Sequence, residues 1–183
     1  MKKGFTLVEV LAGIFIFVLV VGTATSLLIS AFSAQKRALS IREVIDGASY
    51  VIDYMSRAIS MAKKMGIEIR GDSTICQVPE ASIGKNYIVE NGNRKITFRT
   101  YKLNECQSFF LEGGRIKETK AGQTNYLTPE SLEVTNLKFF VYGDNLPDEL
   151  QPKVTIFLEI QKKGEPQTKI SLQTTITQKD LDF

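Results

Sequence analysis

The chain opens Met1-Lys2-Lys3-Gly4-Phe5-Thr6-Leu7-Val8-Glu9-Val10-Leu11 and runs on as AGIFIFVLVVGTATSLLISAF to Phe32. From Leu7 to Phe32 the only ionisable side chain is Glu9, and the stretch holds no proline. A helix of about 20 residues spans the roughly 30 Å apolar core of a bilayer, so this run is long enough to cross one. Glu9 is the anomaly. A carboxylate inside a membrane helix costs roughly 2.5–3.5 kcal/mol even on insertion scales, so its presence there points to a task.

Lys2 and Lys3 precede the run, whereas Lys36, Arg37 and Arg42 follow it. The leading lysines favour a cytoplasmic N-terminus. A secretory signal peptide fits poorly, because its apolar region is about 7–15 residues long and ends at a small-residue cleavage site. A lipoprotein signal fails as well, since no cysteine stands at the end of the run.

Beyond Phe32 the pattern becomes amphipathic. Ala38, Ile41, Val44, Ile45, Ala48, Val51, Ile52, Met55, Ile59 and Ala62 recur at spacings of three and four, with Arg42, Glu43, Asp46, Asp53, Arg57 and Lys63 between them. Such a stripe buries one helix face. Lys63 and Lys64 suit a last turn and Gly66 a C′ position. The spacing therefore predicts one helix from Phe5 to Met65, about 90 Å long, with Gly22 and Gly47 as flexible points.

After Gly66 the period becomes two. Asn86–Glu90 and Lys95–Tyr101 flank Asn91-Gly92-Asn93, and Ser108–Glu112 and Arg115–Thr119 flank Gly113-Gly114, which are two hairpin signals. Leu132–Tyr142 reads as a longer strand whose apolar parity shifts near Asn136, as at a bulge. Lys153–Gln161 alternates through Val154, Ile156, Leu158 and Ile160. Its expected partner is Lys169–Thr177, with Gly164 and Pro166 in the turn. A helix followed by antiparallel strands is an α+β order. The expected division is a leader at 1–4, an apolar helix at 5–32, an amphipathic helix at 33–66 and an antiparallel sheet domain at 67–183.

Composition limits the chemistry. The 183 residues include 23 Lys or Arg, 20 Asp or Glu and no histidine, for a formal net charge of +3. Histidine-dependent triads and histidine-ligated metals are thereby excluded. The basic residues are scattered and lack clustered aromatics, so no direct nucleic acid binding is expected. No GxSxG, P-loop, CxxC or HExxH pattern occurs, and neither an enzyme nor a cofactor is expected. Asp144, Asn145, Asp148 and Glu149 crowd one loop whose oxygens would suit Ca²⁺. The loop lacks the ligand spacing and central glycine of an EF-hand, and solvated acids are the ordinary case. Cys76 and Cys106 are the two cysteines. In an exported domain a bond between them would close a loop of about 30 residues and contribute roughly 3–4 kcal/mol; two buried thiols are the alternative.

Gly4–Leu11, GFTLVEVL, resembles the cleavage and methylation motif of type IV prepilins and pseudopilins. The resemblance implies cutting between Gly4 and Phe5 by a prepilin peptidase, N-methylation of Phe5, and docking through Glu9 onto the new amine of a neighbouring subunit. Both charges would then leave water as a pair instead of singly. It implies as partners other pilin or pseudopilin subunits, the peptidase, a membrane-embedded assembly platform and the lipid bilayer. It further implies a single-pass protein of the cytoplasmic (inner) membrane with its N-terminus inside and its domain exported, later part of a pilus or pseudopilus. Many major pilins carry a proline in the later membrane half; this chain has none before Pro79, which tilts towards a minor subunit. Leu137, Phe139 and Tyr142, followed by Pro152–Ile160, are similar to J-type minor pseudopilins. The competing expectation is a single-span protein with an exported binding or sensing domain that never polymerises.

Overall fold

The structure is a computed structural model that describes residues 4, 6–63, 85–101, 105–144 and 150–179. It divides into two units, Met1–Ser40 and Ile41–Phe183. Helix α1, Leu7–Ser60, contributes to both. The second unit holds eight strands: β1 Tyr87–Glu90, β2 Lys95–Arg99, β3 Cys106–Glu112, β4 Arg115–Lys120, β5 Gln123–Tyr126, β6 Leu132–Tyr142, β7 Lys153–Lys162 and β8 Glu165–Thr177. The expected α+β architecture is present, a long N-terminal helix packed on antiparallel sheets.

Strands β1 to β5 form one antiparallel meander and β6 to β8 a second. The hairpin glycines do what their sequence positions require. Gly92, Gly113 and Gly114 take φ of 63°, 60° and 73°, the left-handed region that a side chain disfavours. The two sheets meet at the outer edge of β6, where the hairpin turns of the meander lie. The Val134 N–H donates to the Gly114 carbonyl (2.8 Å) and the Phe139 N–H to the Asn93 carbonyl (2.8 Å). Turn carbonyls thus satisfy an edge that would otherwise be open. The bulge expected near Asn136 lies between Val134 and Asn136.

The core is closed by most of the predicted helix stripe, although Ala38 and Ile45 of that stripe are exposed. Val44, Ala48, Val51, Met55, Ile59 and Ala62 are fully buried, with Ile96, Phe98, Phe109 and Ile116 from the meander and Leu137, Phe139, Ile156 and Leu158 from the second sheet. Burying each large side chain contributes about 1.5–3 kcal/mol relative to exposure. Gly47 sits where the helix comes closest to Leu132, and an added Cβ would lie 2.4 Å from that leucine's Cδ1. The glycine read as a flexible point is therefore also a point of close approach.

Three elements differ from the sequence expectations. Helix α1 ends at Ser60, five residues before Met65. Its last carbonyls, which have no partners within the helix, are taken from outside. Tyr87 Oη–H donates to the Ile59 carbonyl (2.8 Å), the Lys179 N–H to Ser60 (2.9 Å) and Gln178 Nε2 to Ala62 (2.9 Å). The Lys63 N–H bridges to the Arg99 carbonyl (3.0 Å). The proposed C′ position, Gly66, lies outside the described residues. Strand β5 went unpredicted, because Gln123–Tyr126 is polar and exposed throughout and leaves no alternation to read. Strand β8 begins at Glu165, so Pro166 lies in the strand and not in the turn. An edge strand tolerates a residue without an N–H.

Tyr87→Phe leaves the buried Ile59 carbonyl without its hydroxyl donor while keeping the ring. The carbonyl keeps the Ala62 N–H (3.1 Å), so a loss of about 0.5–1.5 kcal/mol is expected, measured by denaturant unfolding of the full chain in detergent micelles.

Candidate functional site at the N-terminus

The first unit contains the quoted stretch. Gly4 is exposed and nothing lies within 4 Å of the position its Cβ would take; Phe5 lies outside the described residues. Thr6 acts as the N-cap of α1. Its Oγ1 accepts from the Glu9 N–H (3.3 Å), and its carbonyl accepts from the N–H groups of Glu9 (3.1 Å) and Val10 (3.2 Å). Thr6-x-x-Glu9 has the spacing of a capping box, a pattern carried by the sequence itself. Glu9 is accordingly exposed in the first turn, where the helix dipole favours an acid, and its carboxylate makes no hydrogen bond or ion pair among the described residues.

From Leu7 onward the side chains present an apolar surface all round. Leu11, Phe15, Phe17, Leu27 and Phe32 are each more than half exposed. Hydroxyls within the run fold back onto the helix. Thr25 donates to the Val21 carbonyl (2.8 Å), Ser26 to Gly22 (2.8 Å) and Ser33 to Ile29 (3.1 Å). This back-bonding leaves methyl and methylene groups facing outward. The helix is long and apolar enough to cross a membrane, with mean hydropathy 2.5 over its best window. A helix apolar on every side is stable only where lipid or protein surrounds it.

The other candidate residues have structural surroundings. Asp144 accepts from the Asn86 N–H (2.7 Å) and the Tyr87 N–H (3.3 Å), so its carboxylate holds the start of β1. Asn145, Asp148 and Glu149 lie outside the described residues. Among the described residues no group of three His, Cys, Asp or Glu side chains is arranged to hold a metal. Cys106 is disulfide-bonded; Cys76 lies outside the described residues. An open depression of about 500 Å³ on the outer face of the meander is lined by Phe110, Lys95, Glu112 and Thr119 among others. Its charges are already paired, Lys95 with Glu90 (2.7 Å) and Glu112 with Lys117 (2.7 Å).

One buried acid went unread in the sequence. Glu118 lies on the inner face of β4, where Tyr54 Oη–H donates to both carboxylate oxygens (2.9 and 3.0 Å) and Gln107 Nε2 donates to one of them. Tyr54 also packs edge-on against Phe109. These contacts tie α1 to the meander. Burial, followed by the hydrogen bond to Glu118, raises the Tyr54 phenol to about 12.

Residues 1–25 match the family model described as the prokaryotic N-terminal methylation motif. No curated protein and no solved structure matches the chain.

A phenol raised on folding contributes stability that is complete below its ordinary pKa near 10 and is lost as pH rises towards 12. Relative to Tyr54→Phe, the parent chain is therefore expected to lose stability between about pH 10 and 12, followed by urea unfolding at each pH. Parallel pH profiles for the two proteins would remove Tyr54 as the cause. The N-terminal segment thus carries a prokaryotic N-terminal methylation motif, and it leads into a helix able to cross a membrane.

Proposed function

We propose that the chain is a prepilin whose mature form is a subunit of a type IV pilus or pseudopilus, in a minor position. The observation carrying this proposal is the methylation motif over residues 1–25 continuous with a helix that is apolar on every side. Prepilin peptidase cuts between Gly4 and Phe5 and methylates the Phe5 amine. The exposed Gly4 supports access to the bond on its side.

Glu9 then docks on the amine of a neighbouring subunit. Phe5 and Glu9 are four positions apart in the sequence, and the Glu9 carboxylate has no partner among the described residues. Pairing between chains supplies a counter-charge as both groups leave water. The apolar helix serves twice, first as bilayer anchor with the N-terminus cytoplasmic and then as filament core. A minor role is supported by the lack of a proline before Pro79. Residues such as Leu137 and Phe139 support a J-type position. The domain contributes shape and contacts to the assembly, without chemistry of its own.

Since the chain has two cysteines and Cys106 is bonded, we assign its partner as Cys76. A disulfide suits an exported domain.

Co-expression with a prepilin peptidase is expected to yield a mature chain beginning at methylated Phe5, read by intact mass and N-terminal sequencing. Retention of Met1 would favour the anchored domain that never polymerises. Glu9→Ala is expected to be processed normally yet to enter filaments poorly, and undiminished incorporation would end the docking role. Cys76→Ser is expected to lower stability by roughly 3–4 kcal/mol and to release one titratable thiol at Cys106. Two titratable thiols in the unfolded parent chain would refute the bond.

A further inference from the structure

From the contacts of Tyr50, Tyr54 and Glu118 we infer that the domain has a second function, as a one-electron donor. A one-electron oxidant that meets the surface at Tyr50 draws an electron from Tyr54, and the Tyr54 phenol proton passes to Glu118. This function stands apart from assembly, for which the domain needs no chemistry of its own. Of the six tyrosines in the chain, Tyr54 is the one, among the described residues, whose hydroxyl donates to a carboxylate. It lies 2.9 and 3.0 Å from the two Glu118 oxygens.

Tyr50 and Tyr54 stand one turn apart on α1, and their rings stack with centroids 6.2 Å apart and planes inclined by 27°. Tyr50 is exposed, whereas Tyr54 is half-buried. The outer ring therefore gives electronic contact between solvent and the inner one. Past Tyr54 the next ring is Phe109, edge-on at 6.1 Å. A ring without a hydroxyl is much harder to oxidise than a phenol, so the oxidised site stays at Tyr54. Other tyrosines have different surroundings. Tyr87 donates to the Ile59 carbonyl, which is too weak a base to take a proton. Arg115 and Lys117 lie over the Tyr126 ring at 3.8 and 4.8 Å, and Lys63 lies over Tyr101 at 4.7 Å. A cation over a ring opposes loss of an electron from it.

The step balances between the protein and the oxidant. The O–H bond of Tyr54 breaks and an O–H bond forms on Glu118. The phenol and the carboxylate become a neutral phenoxyl radical and a carboxylic acid, while the oxidant gains one electron. A one-electron reductant reverses the step, and the proton returns along the same hydrogen bond. An oxidised phenol that keeps its proton is a strong acid, so an acceptor already in place removes the main obstacle. Burial works in the same direction. Glu118 is buried and its charged form is costly there, whereas both products are neutral. Gln107 Nε2 donates to the carboxylate and holds it in place once the proton has arrived. Burial, followed by the bond to Glu118, raises the Tyr54 phenol to about 12. Tyr54 therefore keeps its proton at neutral pH until the electron leaves.

The test uses the folded full chain in detergent micelles with Tyr101, Tyr126 and Tyr142 replaced by Phe, since those rings are exposed. A ruthenium polypyridyl complex, brought by a light flash to its trivalent form, serves as the oxidant. Tyrosyl radical is followed by optical absorption and electron paramagnetic resonance. The expected result is a persistent radical that forms more slowly in D₂O and at a rate independent of buffer base concentration. Tyr54→Phe should abolish the persistent signal. Glu118→Gln should slow its formation about tenfold or more and make the rate depend on buffer base. Tyr50→Phe leaves the buried contacts intact and should slow formation severalfold without changing the lifetime. Amide spectra show whether each variant is folded. A persistent radical in Tyr54→Phe, or an undiminished rate in Glu118→Gln, would overturn the inference. So would a rate set by buffer base before any change at Tyr54 or Glu118, or an unchanged rate in Tyr50→Phe, and neither of these two readings disturbs the core.

Discussion

A single helix in this protein has to satisfy two incompatible surroundings. Its residues up to Phe32 present apolar side chains in every direction, while those from Ile41 bury one stripe and leave Arg42, Asp46, Asp53 and Arg57 in water. The first requirement calls for lipid or other helices. The second calls for a folded partner, and the sheets of the same chain provide it. Everything else in the domain serves to place six small and medium side chains, Val44 to Ala62, against two sheets at once.

That arrangement depends on polar groups at the margins as much as on the apolar centre. Where α1 stops, its free carbonyls meet donors from β1 and from the chain just after β8. On the meander side, Tyr54 and Gln107 satisfy the buried carboxylate of Glu118. On the other side, Glu43 of the helix pairs with Lys162 (3.1 Å), and its hydrogen bonds to Ser131 and Lys162 hold its carboxyl below the usual range. From Glu43 to Ser60 the helix is thereby fixed in position and not merely attracted to an apolar surface. Buried polar groups left without such partners would cost more than the bonds themselves contribute.

The candidate site was legible because it is local. Gly4, Phe5 and Glu9 lie within six positions, and their meaning comes from spacing and from the apolar run that follows. The capping pattern Thr6-x-x-Glu9 was equally local. By contrast, the place of Asp144 was hidden in the sequence: an acid in a loop ordinarily faces water, and only the return of the chain sets the Asn86 and Tyr87 N–H groups beside it. Glu118 was hidden for the same reason, since its two donors lie 64 and 11 residues away.

By itself the sequence determined the helix, its change from all-round apolar to striped, the hairpin turns and the bulge in β6. Each depends on side-chain period or backbone preference, which act over a few residues. Only the tertiary structure decided where α1 ends, that Gln123–Tyr126 joins a sheet, that Pro166 lies within β8 and that hairpin carbonyls cover one edge of β6. These features depend on backbone donors and acceptors finding partners far along the chain, and a backbone N–H or C=O is the same whichever residue carries it.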